Sequence, residues 1–258
     1  MTFLTCCNKT ESTLRLFVLI FLLQFVTIDI CAQEVQLPIC QNSAPEIILH
    51  RRGYTVSYNQ NMRLPNWVAW HLTFDHIEGE ARRPSNAWQE DWDVPEPRAN
   101  SDDYRGSGWS RGHMCPAGDN KWNAEAMNET FLYSNICPQN ASLNSGDWNE
   151  IEIQCRRWAQ KYGDIYIVCG PVLYNKVYRT IGVNQVVVPD AFFKVVLCLN
   201  GTPKGVAFLC KNEGENHKTA DYVTTISQVE QITGIDFFPS LPNEIADKVE
   251  KKVDINEW

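Results

Sequence analysis

Residues 111–163 constrain the fold of this chain more than any other part of it. From Asp147 onward Trp148, Ile151, Cys155, Trp158, Ala159 and Tyr162 recur at offsets of three and four, which predicts one long amphipathic helix. Gly163 stands where a C-terminal cap belongs. Ahead of this helix lie two short segments of strand character, 111–115 and 130–136, separated by a loop with a short helix near 123–128. Two strands leading into a helix make a ββα unit. On the first strand Arg111 and His113 share a face while Ser110 points to the other, because side chains alternate along a strand.

The surroundings read as α+β rather than as alternating β and α units. A hairpin is expected from 53–58 and 66–73, further strands at 165–172, 192–199 and 205–210, and a short helix opened by a capping box at Ser227 and Glu230 and ended by Gly234. The proline- and charge-rich piece 78–103 reads as a long surface segment within the domain, and ordered segments of that kind are often functional. The expectation is a signal peptide over 1–32 and a single domain over 33–258, its mainly antiparallel sheet flanked by helices.

Residues 16–28 are almost wholly apolar, follow Lys9 and Arg15, and lead to Ala32. That run is short for a membrane helix and has the layout of a cleaved export signal, so the mature chain is expected to be secreted or periplasmic, without a stable membrane span. A lipid-modified Cys31 is disfavoured by the bulky Ile30 before it. Cleavage removes two residues of each charge sign and leaves the net charge at −8. An acidic chain excludes broad adhesion to nucleic acid but not a local basic cleft. In an oxidising compartment the remaining cysteines, at 40, 115, 137, 155, 169, 198 and 210, could form disulfides. Cys198 and Cys210, on either side of the turn 200–204, are one candidate pair. No Cys-x-x-Cys pair supports a zinc ribbon.

The candidate chemistry is phosphodiester hydrolysis, which needs a base for water, a cation facing the charge that develops on phosphorus, and help for the leaving oxygen. His113 and Arg111 supply the first two. Asn144, Trp148 and Glu152 are spaced by four, and Arg156 follows, which on one helix places an amide, a carboxylate and a guanidinium along a single stripe. Asn144 is a neutral oxygen ligand of the kind that a magnesium ion keeping most of its waters accepts. Taken singly, each has a plainer reading. His113 is one histidine in a short motif, Asn144 a helix N-cap, Glu152 and Arg156 a surface ion pair, and Trp148 a core residue.

Together they resemble a known family. Residues 103–119, with Ser110-Arg111-Gly112-His113 at their centre, look like the signature of the DNA/RNA non-specific endonucleases of the ββα-metal class, the Serratia and endonuclease G type. So does Asn135-Ile136-Cys137-Pro138-Gln139 followed by Asn144, Trp148 and Glu152, and the likeness extends from about Tyr54 to Leu241. The resemblance implies a ββα-metal nuclease core acting on DNA and RNA, with His113 as general base and a single Mg2+, or Mn2+ or another divalent cation, on Asn144. Glu152 would steer metal-bound water and Arg111 would stabilise the transition state. Arg83, with Arg82 as its rival, and Arg156 would contact phosphate, while Asn135 and Gln139 brace the site. Ser110 departs from the family, which commonly carries aspartate there. The alternative is a catalytically silent nucleic-acid-binding protein of the same fold. No inhibitor protein or subunit partner is indicated.

Overall fold

The computed structural model describes residues 37–258 apart from 176, 215 and 216. The expected signal segment and Cys31 lie outside the described residues. Strands β1 (Ile39–Cys40), β2 (Ile47–His50), β3 (Thr55–Asn59) and β4 (Leu64–Thr73) open the chain, and the expected hairpin is the antiparallel pair β3–β4. β5 (Ser110–His113) and β6 (Ile136–Gln139) form a separate two-stranded sheet. β7 (Asp164–Val172), β8 (Thr180–Ile181), β9 (Val186–Val187), β10 (Ala191–Cys198), β11 (Lys204–Lys211), β12 (Val223–Thr224) and β13 (Ile235–Asp236) complete the set.

Seven of these strands build one sheet in the order β12-β11-β10-β7-β4-β3-β2, and every neighbouring pair is antiparallel. Its centre is buried on both faces, as β10 shows: all eight of its residues are buried. Phe192, Val196 and Cys198 join a core cluster with Trp148, Ile151 and Trp158 of the long helix Asp147–Tyr162. The intervening Phe193, Val195 and Leu197 pack on the opposite face with Ile226 and Val229 of helix Ile226–Thr233 and with Val249 of helix Asn243–Lys251. The result is the expected α+β architecture. Gly163, at φ 92°, ends the long helix and returns its N–H to the Ala159 carbonyl.

Four expectations are corrected. Residues 130–136 are not a strand: Tyr133–Asn135 is a turn of 3-10 helix, and β6 begins only at Ile136. The turn is held by Asn135, whose buried side chain accepts from the Cys115 N–H (2.9 Å) and donates to the carbonyls of Cys115 (2.9 Å) and Thr130 (2.8 Å). Asn144 and Glu152 do not share one helix. Asn140 caps a separate helix, Ala141–Ser145, and Gly146 (φ −104°, ψ −106°) leaves helical geometry before the long helix starts.

The capping box near the C-terminus is built by Thr225 and Gln228, two residues earlier than Ser227 and Glu230. Cys198 lies opposite Lys204 and Cys210 opposite Phe192, so the two thiols sit six ladder positions apart, and all seven described cysteines are free. Among the described residues no helix is long and apolar enough to cross a membrane.

Because Asn135 is the partner of three buried backbone groups, Asn135→Ala is expected to lower the unfolding free energy by about 3 kcal/mol, measured as a shift of the urea midpoint.

Candidate active site

Strand β5 carries the central pair, and β6 explains its glycine. A Cβ on Gly112 would lie 2.1 Å from Oε1 and 2.6 Å from Cβ of Gln139, so the fully buried Gln139 side chain occupies the space that any other residue would need. Ser110 shares the Gly112 face and pairs with Gln139 in the ladder. Arg111 and His113 point the other way. The long helix is tied to this strand through Trp148, whose indole Nε1 donates to the His113 carbonyl at 3.3 Å. Helix Ala141–Ser145, which carries Asn144, packs directly against β5.

The hub of the cleft is Trp88, supplied by the long segment before β5. Its ring lies 5.2 Å from the His113 imidazole, 5.1 Å from the Arg83 guanidinium and 5.3 Å from that of Arg111. Phe131 closes the far side, edge-on to His113 at 5.0 Å and beneath Arg83 at 5.0 Å. Arg111 is fixed further by its Nε donating to the Tyr133 hydroxyl (2.8 Å) and its Nη2 to the Ser101 carbonyl (3.3 Å). Tyr133 in turn shares a 2.9 Å hydrogen bond with Ser101. Between the neighbours Arg82 and Arg83, it is Arg83 that the fold brings to His113.

These surroundings dictate the ionisation of His113. Its Nε2 is enclosed and has no hydrogen-bond partner. Burial among aromatic rings, with Arg83 adding like-charge repulsion, lowers its pKa to about 4. The imidazole is therefore neutral at pH 7, the form that can accept a proton.

Glu152 and Arg156 belong to a second group beneath the cleft. Arg156 turns to Asp119 in a 2.9 Å ion pair rather than to Glu152, and Asp119 also accepts from the Trp70 indole at 3.1 Å. Asp119 holds Arg156 charged despite its partial burial. Burial raises the Glu152 pKa to about 7, against the opposing pull of Lys194 and Arg156. Lys194 is fully buried on β10, with its Nζ 4.4 Å from the Trp148 ring and 5.3 Å from that of Trp70.

Among the described residues no three His, Cys, Asp or Glu side chains cluster as metal ligands. The donors nearest in type are the partly exposed Asn144 amide, which makes no side-chain hydrogen bond among the described residues, and the Glu152 carboxyl. A neutral amide oxygen such as that of Asn144 suits a hard cation that keeps most of its waters.

A profile of DNA/RNA non-specific endonucleases matches residues 35–244. The chain belongs to that family. The mitochondrial nuclease EXOG of Danio rerio is 38% identical over 219 residues, which cover 78% of this chain and 64% of the relative. Nuclease C1 of Cunninghamella echinulata is 35% identical over 75% of this chain and 83% of its own length. A solved structure described as the EndoG/EndoGI complex and the mechanism of EndoG inhibition superposes with a TM-score of 0.74. It is 26% identical and covers 81% of this chain and 93% of that one.

The chain spans 56% to 64% of the length of four EXOG relatives. The secreted or periplasmic location expected from the amino terminus is overturned by the family's named members: the matching nucleases of zebrafish, mouse, human and cattle are all named as mitochondrial.

Sequence reasoning missed Trp88, Phe131, Tyr133, Asp119 and Lys194. Only Lys194 left a local signal, as one charge in the middle of an otherwise apolar strand. Trp88→Ala is expected to admit water to His113 and return its pKa towards the ordinary value of 6.5, read from the imidazole NMR titration.

Proposed function

We propose that this protein is a divalent-metal-dependent, sugar-non-specific endonuclease that hydrolyses phosphodiester bonds of DNA and RNA. The observation that carries the reading is the state of His113: an imidazole kept neutral by burial, with Nε2 unengaged, beside the guanidinium groups of Arg83 and Arg111. A neutral base next to two permanent cations suits attack of water on an anionic phosphodiester.

In this mechanism His113 takes a proton from the attacking water on an imidazole nitrogen. Arg111, held in place by Tyr133, Ser101 and Trp88, faces the charge that grows on the phosphoryl oxygens, and its fixed geometry means that no reorganisation is needed in the transition state. Arg83 grips the same strand of substrate, and its position over Trp88 and Phe131 limits its freedom. Arg156 adds its N–H groups not spent on Asp119 as a phosphate contact. Asn144 would hold the cation, which supplies Lewis-acid stabilisation of the leaving oxygen. Glu152, in its ionised form, would orient water at that site. Asn135 and Gln139 act from behind, one by bonding the backbone after β5 and the other by filling the space over Gly112.

The deciding experiment incubates the purified protein with plasmid DNA and with RNA, with Mg2+ or with chelator. Nicking of both that stops with chelator is the expected result. Binding without cleavage would identify the silent relative instead. His113→Ala is expected to lower turnover at least about a hundredfold while leaving binding nearly intact. Asn144→Ala is expected to raise the Mg2+ concentration needed for half-maximal rate, and an unchanged dependence would place the ion elsewhere.

A further inference from the structure

Arg179 stands just before β8, on the hairpin that β8 and β9 form, and it is exposed. Among the described residues no carboxylate pairs with it and its side chain makes no hydrogen bond. What it does meet is an aromatic ring: its guanidinium lies 5.3 Å from the centre of Trp109. The pair repeats the arrangement at Trp88, on which Arg83 and Arg111 rest at 5.1 and 5.3 Å. Arg51, Arg98, Arg105 and Arg156 instead face carboxylates, which offset their charge. An arginine laid on a ring is held in place while its charge and its N–H donors stay available to an anion.

Trp109 is the residue before β5. Side chains alternate along an extended chain, so its ring falls on the face of Arg111 and His113, opposite Ser110 and Gly112. Its N–H is bound by the Ser107 hydroxyl at 3.1 Å, and that hydroxyl donates in turn to the Tyr104 carbonyl at 2.9 Å. The row His113, Arg111, Trp109 advances by about 7 Å at each step. That is comparable with the step between successive phosphates of an extended nucleic-acid strand.

The hairpin carrying Arg179 is seated on the same short helix, Ser101–Tyr104, that orients Arg111. Its buried Asp103 accepts from the Asn184 backbone N–H (3.0 Å) and from the Asn184 amide (2.9 Å). Gly182, at φ 65°, comes so close that a Cβ there would lie 2.1 Å from Asp103 Oδ1. Ser101 of this helix accepts from Arg111 through its carbonyl, and the Tyr104 ring lies 5.6 Å from the Arg111 guanidinium. One helix therefore sets both arginines relative to β5.

We infer that Arg179 is a substrate-binding residue: on its Trp109 seat it takes the phosphate next in line from the one at Arg111 and His113, so that the cleft grips a nucleic-acid strand at consecutive phosphates along the β5 row. The contact is a charge-assisted hydrogen bond to a non-bridging oxygen. Arg179 meets no reacting atom, so it acts on affinity and leaves the chemical step alone.

This inference rests on the nuclease reading, and the test separates the two. Binding of a fluorescent single-stranded DNA oligonucleotide to the full chain is measured with chelator over a range of salt, beside its cleavage with Mg2+. Arg179→Ala is expected to weaken binding about tenfold, to lower the slope of log Kd against log salt by about one, and to raise KM at unchanged kcat. Replacing single phosphates by uncharged methylphosphonates locates the contact. The wild type should lose affinity at the phosphate next to the cleavage point, and Arg179→Ala should no longer sense that replacement. Lys248→Ala, which removes one charge from the helix on the opposite face of the sheet, should keep the wild-type profile. Identical methylphosphonate profiles for wild type and Arg179→Ala would overturn the inference. So would an equal loss in Lys248→Ala, which net charge alone explains, or a fall in kcat at unchanged Kd. A wild type that binds with the expected profile but does not cleave would uphold the Arg179 contact and refute the nuclease reading instead, and one that does not bind would overturn both.

Discussion

Asn135 is closed off from solvent, and its single amide satisfies three backbone groups that the chain would otherwise bury unpaired. Those groups belong to both ends of the loop that connects the two short strands. By bonding Cys115 on one side and Thr130 on the other, Asn135 fixes where β5 ends and where β6 begins, and with that the direction in which Arg111 and His113 point. The ring of aromatic residues can then form, because Phe131 and Tyr133 come from the same short stretch that Asn135 terminates. A helix or a longer strand across 130–135 would have carried both rings elsewhere.

The cleft that results works by exclusion as much as by contact. A chain of net charge −8 has no general attraction for polyanions, so the phosphodiester binding proposed for it has to rest on local charge. Trp88 achieves this by giving two guanidinium groups one aromatic body to lie against, which keeps like charges near each other without requiring carboxylates that would cancel them. The same rings strip water from the imidazole. Positive charge and a neutral base are thereby made compatible at a distance of a few ångström.

Much of this was legible in the sequence, for identifiable reasons. The long helix follows from periodicity, the hairpin and the central strands from composition, His113 and Arg111 from their shared face on a short strand, and Asn135 and Gln139 from the resemblance to the family. The failures have one source: local pattern cannot see a side chain that bonds across sequence. Residues 130–136 have strand composition, but the Asn135 amide makes a turn more favourable. The four-residue spacing of Asn144, Trp148 and Glu152 mimics one helix, and Asn140 and Gly146 divide it. Arg82 and Arg83 are equivalent on paper, and only the position of Trp88 distinguishes them. The buried quartet of Lys194, Glu152, Asp119 and Arg156 draws on three separate parts of the chain, so no short window contains it.

The division at Gly146 has a consequence for how such a site can change. On one continuous helix, Asn144 and Glu152 would be locked about 12 Å apart along the axis by the rise of 1.5 Å per residue, and any adjustment of one would drag the other. With the chain broken between them, amide and carboxylate sit on two bodies joined at a single residue. Their separation becomes a property of that joint rather than of helical geometry. Substitution at the joint, or in the five-residue helix before it, would then move the amide relative to the carboxylate without altering the long helix that carries Glu152.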